Sequence, residues 1–165
     1  MPILDAHTFD FFSRSPEQTR RIGARLGQVV ESGDVICLQG ELGAGKTTFV
    51  QGMAQGWGSL DSVTSPTFVL INEYRRADGA MLFHLDAYRL DSLGEAEELD
   101  LDRMMLEGAL VIEWPERLEA LVPKQELRVV LEHVAEEQRR IQFTGRGERY
   151  DHILGRLQQA MFGVA

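Results

Sequence analysis

A glycine-rich loop is the part of this chain best suited to chemistry. Gly40, Gly45, Lys46 and Thr47 follow the P-loop spacing G-x-x-x-x-G-K-T within the segment GELGAGKTT. In such a loop the glycines let consecutive backbone N–H groups point at one anion, the lysine reaches the outer phosphates, and the hydroxyl can bind Mg²⁺. The pattern therefore predicts a site for a nucleoside triphosphate with magnesium. The loop residues predicted to bind the nucleotide are Leu42, Gly43, Ala44, Gly45, Lys46, Thr47 and Thr48.

Two acidic residues each end an apolar run and are candidates for the metal and the chemistry. Asp86 closes AMLFHLD and Glu113 closes ALVIE. A P-loop NTPase needs an acid at a strand end, either to hold Mg²⁺ or to position the attacking water. We therefore assign catalytic and metal-binding roles to both acids, beside the catalytic Lys46 and the metal-binding Thr47. The sequence leaves open which acid serves which role, and each could also be a solvated carboxylate at a strand end.

Three further features have a functional and a structural interpretation. The segment TSPTF offers the hydroxyls of Thr64, Ser65 and Thr67, which could sense a γ-phosphate as switch loops do, or could form an ordinary turn before a strand. Trp114 could stack on adenine or contact a partner, although a core position is more common for a tryptophan beside a strand. His84 is more simply a buried, hydrogen-bonded histidine than a ligand or a base.

The elements that must position these residues begin with a helix, a strand and a second helix. SPEQ predicts a helix start, with Ser15 as N-cap, Pro16 in the first turn and Gln18 completing a capping box. Apolar residues at helical spacing follow as far as Gly33. The run DVICLQG predicts a buried strand, and a helix is expected from Lys46 to about Gly56.

The second half of the chain adds a hairpin, further strands and a final helix. Asp78-Gly79 is typical of a tight turn between two strands. LGEAEELDLDRMM predicts one short helix or helical turn. GALVIE, ELRVVLEHV and RRIQFTG predict strands, and DHILGRLQQAMF predicts the last helix. Alternating strands and helices with an inserted antiparallel hairpin predict an α/β fold, a P-loop NTPase-like three-layer domain with a mixed sheet, over residues 1–165.

Composition limits the classes of partner. The formal net charge of −9 and the presence of only two lysines, Lys46 and Lys124, disfavour direct non-specific binding of nucleic acid. No apolar run approaches the roughly 20 residues that span a bilayer. The single cysteine, Cys37, cannot form an internal disulfide, and the N-terminus lacks a basic region typical of secretory signals. A cytoplasmic protein without membrane contact is expected.

Four motifs taken together resemble one family closely. GELGAGKTT, SPTF, HLDAYRL and IEWPER occur here in the order and at the distances typical of the TsaE family, also called YjeE, over roughly residues 13 to 145. That family is the ATPase subunit for threonylcarbamoyladenosine biosynthesis on bacterial tRNA. The resemblance implies ATP with Mg²⁺ as ligand, and TsaD and TsaB as partners. With TsaC-type chemistry these partners modify adenosine 37 of tRNAs that read ANN codons, so contact with tRNA would be indirect.

The resemblance also implies roles for individual residues. Lys46 and Thr47 match the family's phosphate lysine and magnesium threonine, Asp86 matches the acid needed for activity, and Glu113 matches the acid near magnesium. SPTF, which includes Thr67, matches a switch-like loop with a catalytic role. Trp114, Thr19 and Arg139 match positions beside the nucleotide. The chain departs from the family at Asp100, where glycine is usual, and at Met104 and Met105, where an aromatic residue is common.

Two other functions compete with a partner-dependent ATPase. A small-molecule kinase would use an arginine-bearing lid, and the candidate segment, residues 92–108, is mostly acidic with Arg103 as its only cation. A non-catalytic nucleotide-binding module would not need Lys46, Thr47, Asp86 and Glu113 together. We therefore expect an ATP hydrolase that partner subunits stimulate.

Overall fold

The chain forms a mixed β-sheet between two layers of helices, in agreement with the α/β prediction. The computed structural model describes residues 3–5, 7–61 and 71–162. The strands in these residues are β1 (Ile3–Asp5), β2 (Thr8–Ser13), β3 (Val35–Gln39), β4 (Ile71–Arg75), β5 (Met81–Asp86), β6 (Gly108–Glu113), β7 (Glu126–Ala135) and β8 (Gln138–Arg146). The helices are α1 (Pro16–Val29), α2 (Lys46–Trp57), α3 (Leu93–Glu97), α4 (Leu101–Glu107) and α5 (Glu148–Phe162).

The strand order is β1-β2-β8-β7-β3-β6-β5-β4. The four central strands β7, β3, β6 and β5 are mutually parallel, while β8, β2 and β1 on one side and β4 on the other pair antiparallel to their neighbours. The carboxyl ends of parallel strands meet at one edge of a sheet, which is where ligands bind in open α/β folds. This arrangement brings the ends of β3, β5 and β6 together.

Two separate apolar clusters fill the two faces of the sheet. Helices α1, α2 and α5 cover one face, with Leu26, Phe49 and Ile153 among their buried residues. Helices α3 and α4 and the 3-10 segment Pro115–Leu121 cover the other face. The described residues contain no helix with both the length and the hydrophobicity needed to cross a membrane.

The predicted start of α1 is confirmed, except that the Gln18 side chain bonds the backbone of Arg14 instead of the N-cap residue Ser15. The Ser15 hydroxyl accepts a hydrogen bond from Gln18 N at 3.2 Å, and Pro16 occupies the first turn. The Gln18 side chain reaches back to accept from Arg14 N at 2.6 Å, one residue before the cap. The helix ends at Val29, capped by Val30, and Gly33 lies in the turn that follows.

Two predictions for the rest of the chain need correction. The segment 93–105, predicted as one short helix or helical turn, lies in two helices, α3 and α4, with a left-handed backbone (φ 57°) at Asp100 between them. The N-terminal strands β1 and β2 were not predicted. Strand β2 pairs with β8, and Phe9 stacks on Phe143 with ring centroids 5.0 Å apart.

The left-handed conformation at Asp100 explains why glycine suits this position. A residue with a Cβ atom lowers the stability of the fold by roughly 1–2 kcal/mol in this conformation, whereas glycine does not. Asp100 recovers part of this because its side chain caps α4, accepting from Arg103 N at 3.3 Å. We expect Asp100→Gly to leave the free energy of unfolding nearly unchanged, and Asp100→Ala to lower it by about 1–2 kcal/mol because the cap is lost and the strain stays. Urea denaturation of the two variants would test this, and equal stability of the two would contradict it.

Helices α1 and α2 are in direct backbone contact through four glycines. A Cβ atom at Gly23 would lie 2.3 Å from Phe49 O, and one at Gly27 would lie 2.1 Å from Met53 O. In return, a Cβ at Gly52 would lie 1.9 Å from Arg20 O, and one at Gly56 would lie 2.0 Å from Ala24 O. Real Cβ atoms do not approach oxygen so closely, so the two helices could not keep this spacing with any other residue. The contact fixes α2, which carries Lys46, against α1.

We expect Gly27→Ala to destabilise the protein by about 3 kcal/mol or more, because the added methyl group meets backbone that cannot move away by a rotamer change. The matched control is Gly155→Ala in the exposed part of α5, where a Cβ would meet nothing within 4 Å. That substitution should stabilise the fold by about 0.5–1 kcal/mol, since alanine is the better helix former. Thermal unfolding of both variants measures the difference, and a similar loss in both would contradict the packing argument.

Candidate functional site

The glycine-rich loop connects the end of β3 to the start of α2, as predicted. Gly43 and Gly45 have left-handed backbones, with φ of 82° and 105°. These conformations let successive N–H groups face one point, which is how backbone binds anions. Gly45 is the N-cap of α2 and supplies no side-chain cap. The first amides of α2 are therefore left without a side-chain acceptor, and the positive end of the helix dipole lies at the loop.

Lys46 is folded back over the loop. Its Nζ donates to the carbonyl of Gly40 and to that of Glu41, the latter at 3.2 Å. The ammonium also lies 4.1 Å from the centre of the Trp114 ring. Burial lowers the pKa of Lys46, while the negative charges of Glu113 and Asp86 act in the opposite direction. Both acids therefore lie close enough to Lys46 for their charges to stabilise its ammonium group.

The two acids lie side by side at the ends of adjacent strands. Asp86 of β5 is in register with Glu113 of β6, and Glu113 is in register with Leu38 near the end of β3. Side chains alternate along a strand, so Asp86 lies on the same face as Leu82, and Glu113 on the same face as Val111. Both of these apolar residues belong to the cluster under α1 and α2. The acids are thus on the side of the sheet from which Lys46 projects.

The environments of the acids differ. Glu113 is 5% exposed and accepts a hydrogen bond from His84 Nε2 at 2.7 Å. Asp86 is half-buried and caps a short 3-10 turn by accepting from Tyr88 N at 3.0 Å. Glu113 is therefore held by a buried side chain, whereas Asp86 is held by local backbone and is more open to solvent.

Trp114 adopts an unusual backbone that turns its ring over the site. Its φ is 60°, in the left-handed region, and Pro115 follows it in the next 3-10 segment. The ring packs against Tyr88, with centroids 4.9 Å apart, and beneath the Lys46 ammonium. Trp114 is thus only partly a core residue, since its ring also contacts the Lys46 ammonium.

Thr19 and Arg139 line one cavity of about 150 Å³ beside the loop. Its walls are formed by Pro16, Thr19, Gly45, Thr48, Glu137 and Arg139. The Arg139 guanidinium donates to Ala44 O at 3.1 Å and to Gly43 O at 3.2 Å, so it holds the outward carbonyls of the loop. The Thr19 hydroxyl is 2.7 Å from that of Ser13. Thr19 therefore contributes a fixed wall, and Arg139 orients the loop.

A second, wider cleft of about 600 Å³ also borders the loop. Its walls include Gln39, Gly40, Glu41, Trp114 and Leu131. Leu42 in the loop is 71% exposed. Cavities of 300–1,000 Å³ suit small ligands and cofactors. Loop residues thus line both cavities.

The residues at this edge fit a magnesium–triphosphate. Mg²⁺ keeps several waters and binds through one or two carboxylates together with substrate phosphates. Thr47, Glu113 and Asp86 offer such a set next to the phosphate loop. Among residues 3–5, 7–61 and 71–162 there is no group of three or more His, Cys, Asp or Glu that could hold a metal by protein ligands alone. The segment SPTF with Thr67 lies outside the described residues, as do Thr64 and Ser65.

His84 and Tyr74 are linked by hydrogen bonds to the candidate acid Glu113, and the sequence analysis assigned neither of them a functional role. The interpretation of His84 as buried and hydrogen-bonded is correct, but its partner is the acid Glu113. Tyr74 O–H lies 3.3 Å from His84 Nδ1. The only sequence signal was the spacing of His84 two residues before Asp86, on the same face of the strand.

Comparison with known proteins gives a consistent result. The family model described as "Threonylcarbamoyl adenosine biosynthesis protein TsaE" matches residues 13–141. A Bacillus subtilis protein named "tRNA threonylcarbamoyladenosine biosynthesis protein TsaE" is 38% identical, over 88% of this chain and 90% of its own length. A protein of the same name from Streptomyces coelicolor is 41% identical, over 79% and 93%. The crystal structure of Bacillus subtilis YdiB has a TM-score of 0.78 and 33% identity, covering 93% of this chain and 96% of YdiB.

Proposed function

Because the chain belongs to the TsaE family of threonylcarbamoyl adenosine biosynthesis proteins, we propose that it is a magnesium-dependent ATPase subunit of that pathway. Its turnover would depend on partner subunits of the TsaD and TsaB type. The modification served would be the threonylcarbamoyl group on adenosine 37 of tRNAs reading ANN codons. The confirmed family supports the pathway, and the geometry of the site supports the chemistry.

The observation that carries the proposal is the convergence of one cation and two acids at the phosphate loop. Lys46 begins α2, Glu113 ends the strand next to β3, and Asp86 ends the strand after that in the sheet. The negative charges of both acids favour the protonated form of Lys46. A site that only bound a nucleotide would not need two carboxylates beside the outer phosphates, whereas hydrolysis needs one acid for the metal and one for water.

Each residue has a defined task in this proposal. The backbone from Leu42 to Thr48 cradles the phosphates, and Lys46 leaves the carbonyls of Gly40 and Glu41 to bind the outer ones. The Thr47 hydroxyl, with Glu113 or Asp86, would hold Mg²⁺, which neutralises charge on the phosphates when it is bound. The remaining acid orients the water. Thr19, Arg139 and Trp114 border the rest of the nucleotide, and Thr67 belongs to the switch-like segment.

The charge of the chain supports indirect contact with tRNA. With a net charge of −9 the protein repels the phosphate backbone, so its partners would hold the tRNA. The kinase alternative is weakened because Arg103, the only cation in the acidic segment 92–108, is paired with Glu107 at 3.1 Å. Water is then the acceptor, and a cytoplasmic location follows from the pathway.

The test is ATP hydrolysis by the pure chain, alone and with the TsaD–TsaB pair and tRNA. We expect slow turnover alone and strong stimulation by the complete mixture. The matched control replaces the chain by its Lys46→Ala variant in the same mixture, which corrects for ATPase activity of the partners. Rapid turnover without partners, or no stimulation by them, would contradict the proposal.

A further inference from the structure

A buried hydrogen-bond chain stands behind the acid Glu113. It runs from Tyr74 on β4 through His84 on β5 to Glu113 at the end of β6. Tyr74 Oη is 3.3 Å from His84 Nδ1, and His84 Nε2 is 2.7 Å from Glu113 Oε2. All three residues are at least nine-tenths buried. Three adjacent strands therefore each contribute one polar side chain to a single buried line that ends at the site.

The donors and acceptors of this chain can be assigned from chemistry. A carboxylate only accepts, so His84 Nε2 carries the proton that it donates to Glu113. In a neutral imidazole the other nitrogen then accepts, and the Tyr74 hydroxyl is the donor. Burial, aided by the charge of Glu113, raises the pKa of Tyr74 to about 12, so this hydroxyl keeps its proton near neutral pH. Both ring nitrogens of His84 are thus occupied, and the ring has one orientation.

We propose that His84 is a positioning residue, fixed by Tyr74, that sets the orientation of the Glu113 carboxylate toward the bound metal–nucleotide. His84 engages one oxygen of Glu113, Oε2, and so restricts rotation of the carboxylate at the edge where Lys46 lies. A free glutamate side chain would sample several rotamers and lose part of its binding energy in ordering. Outer partners of a metal-binding group typically change affinity or activity by about 10–100-fold. The inference rests on the proposed function of the same site, with Glu113 taken as the acid that holds the metal.

A purely structural role makes a different prediction. A buried polar chain that only stabilised the sheet would lower the free energy of unfolding when it was broken, but would leave the metal affinity of the folded protein unchanged. Metal affinity in the folded, nucleotide-bound protein therefore separates the two roles. Mn²⁺ serves as the probe because it accepts the same oxygen ligands as Mg²⁺ and its free concentration can be followed by electron paramagnetic resonance.

The experiment measures Mn²⁺ binding to the full chain saturated with ADP, for the wild type and the variants His84→Leu and His84→Gln. The amide of glutamine can restore the donor at Nε2, whereas leucine cannot. We expect His84→Leu to weaken Mn²⁺ binding about 10–100-fold and His84→Gln to recover most of it. ADP affinity without metal should stay unchanged in both. With the partners present, kcat should fall in His84→Leu while KM for ATP remains near the wild-type value.

The outcomes distinguish this inference from the proposed function. Wild-type Mn²⁺ affinity in a folded His84→Leu protein would overturn the inference and leave the ATPase proposal intact. A wild-type chain that binds no Mn²⁺ with nucleotide would overturn both. If His84→Leu does not fold, Tyr74→Phe decides: the inference requires a several-fold weaker Mn²⁺ affinity than in the wild type, and an unchanged affinity overturns it.

Discussion

Replacing Lys46 with alanine is expected to abolish ATP binding in practice, raising Kd by on the order of 100-fold or more. A hydrogen bond to a charged group is worth about 1.5–3 kcal/mol, and the lysine contacts phosphates that carry several charges. The loop amides alone would hold the anion without a counter-charge. Isothermal titration with ATP and Mg²⁺ measures the loss.

The chain contains a matched control for this variant. Lys124 is the only other lysine and is exposed, outside the loop and the strand ends. Lys124→Ala removes the same charge and should leave Kd unchanged. The fold should survive Lys46→Ala, because burial already disfavours the charged form of this lysine. A Lys46→Ala protein that is folded and binds ATP like the wild type would contradict the assigned role.

Substitution of either acid is expected to separate binding from turnover. Asp86→Ala and Glu113→Ala should retain measurable ATP binding, because Lys46 and the loop amides remain, while partner-stimulated hydrolysis falls by about 10²–10⁴-fold. Glu113→Ala also leaves the buried His84 Nε2 without its acceptor, which costs stability. Glu113→Gln and Asp86→Asn keep an acceptor oxygen and remove only the charge, so they test the chemistry more cleanly.

The control for the acid variants is Glu73→Gln, an exposed acid on β4 of the same hairpin. It changes the net charge equally and should leave both binding and hydrolysis unchanged. Single-turnover hydrolysis at saturating ATP, with partners present, isolates the chemical step from binding. Wild-type turnover in either the Asp86 or the Glu113 variants would remove that residue from the mechanism. The ratio of Mg²⁺ affinities in the two amide variants would show which acid binds metal.

Local signals made the phosphate loop predictable. The glycines, Lys46 and Thr47 lie next to one another in sequence, and the flanking strand and helix each have their own apolar pattern. The four motifs that indicated the TsaE family are also short and local, and the family assignment is confirmed. The strand ends at Asp86 and Glu113 were predictable because a strand end can be recognised from Pro115 and from polar residues that follow an apolar run.

Features that depend on distant partners were missed. Strand β2 contains Phe9, Phe11 and Phe12 without a clear alternation, and its buried Asp10 is accounted for only by Arg140 on β8, with the two side chains 2.8 Å apart. The hydrogen bond between His84 and Glu113 joins residues 29 positions apart on different strands. No local pattern contains that pairing.

The break between α3 and α4 was missed for a different reason. Helix propensity predicts continuity through Asp100, because nothing in the segment is a strong breaker, yet the backbone there is left-handed. Packing of Ala96, Leu101 and Met104 against the sheet decides the conformation. The departure from the family's glycine at Asp100 was the available signal, and it was not used to predict a break.

The backbone contact between α1 and α2 gives the cavity beside the loop a fixed width. Pro16 and Thr19 in its lining belong to the first turns of α1, and Gly45 and Thr48 belong to the start of α2. Glu137, just before β8, and Arg139, near the start of β8, complete the lining. No flexible side chain lies between the helices at the four glycines to absorb a change in their separation. The distance between the α1 and α2 residues that line the cavity is therefore fixed. A ligand that needed a larger distance would have to separate two packed backbones, so the cavity selects ligands by size.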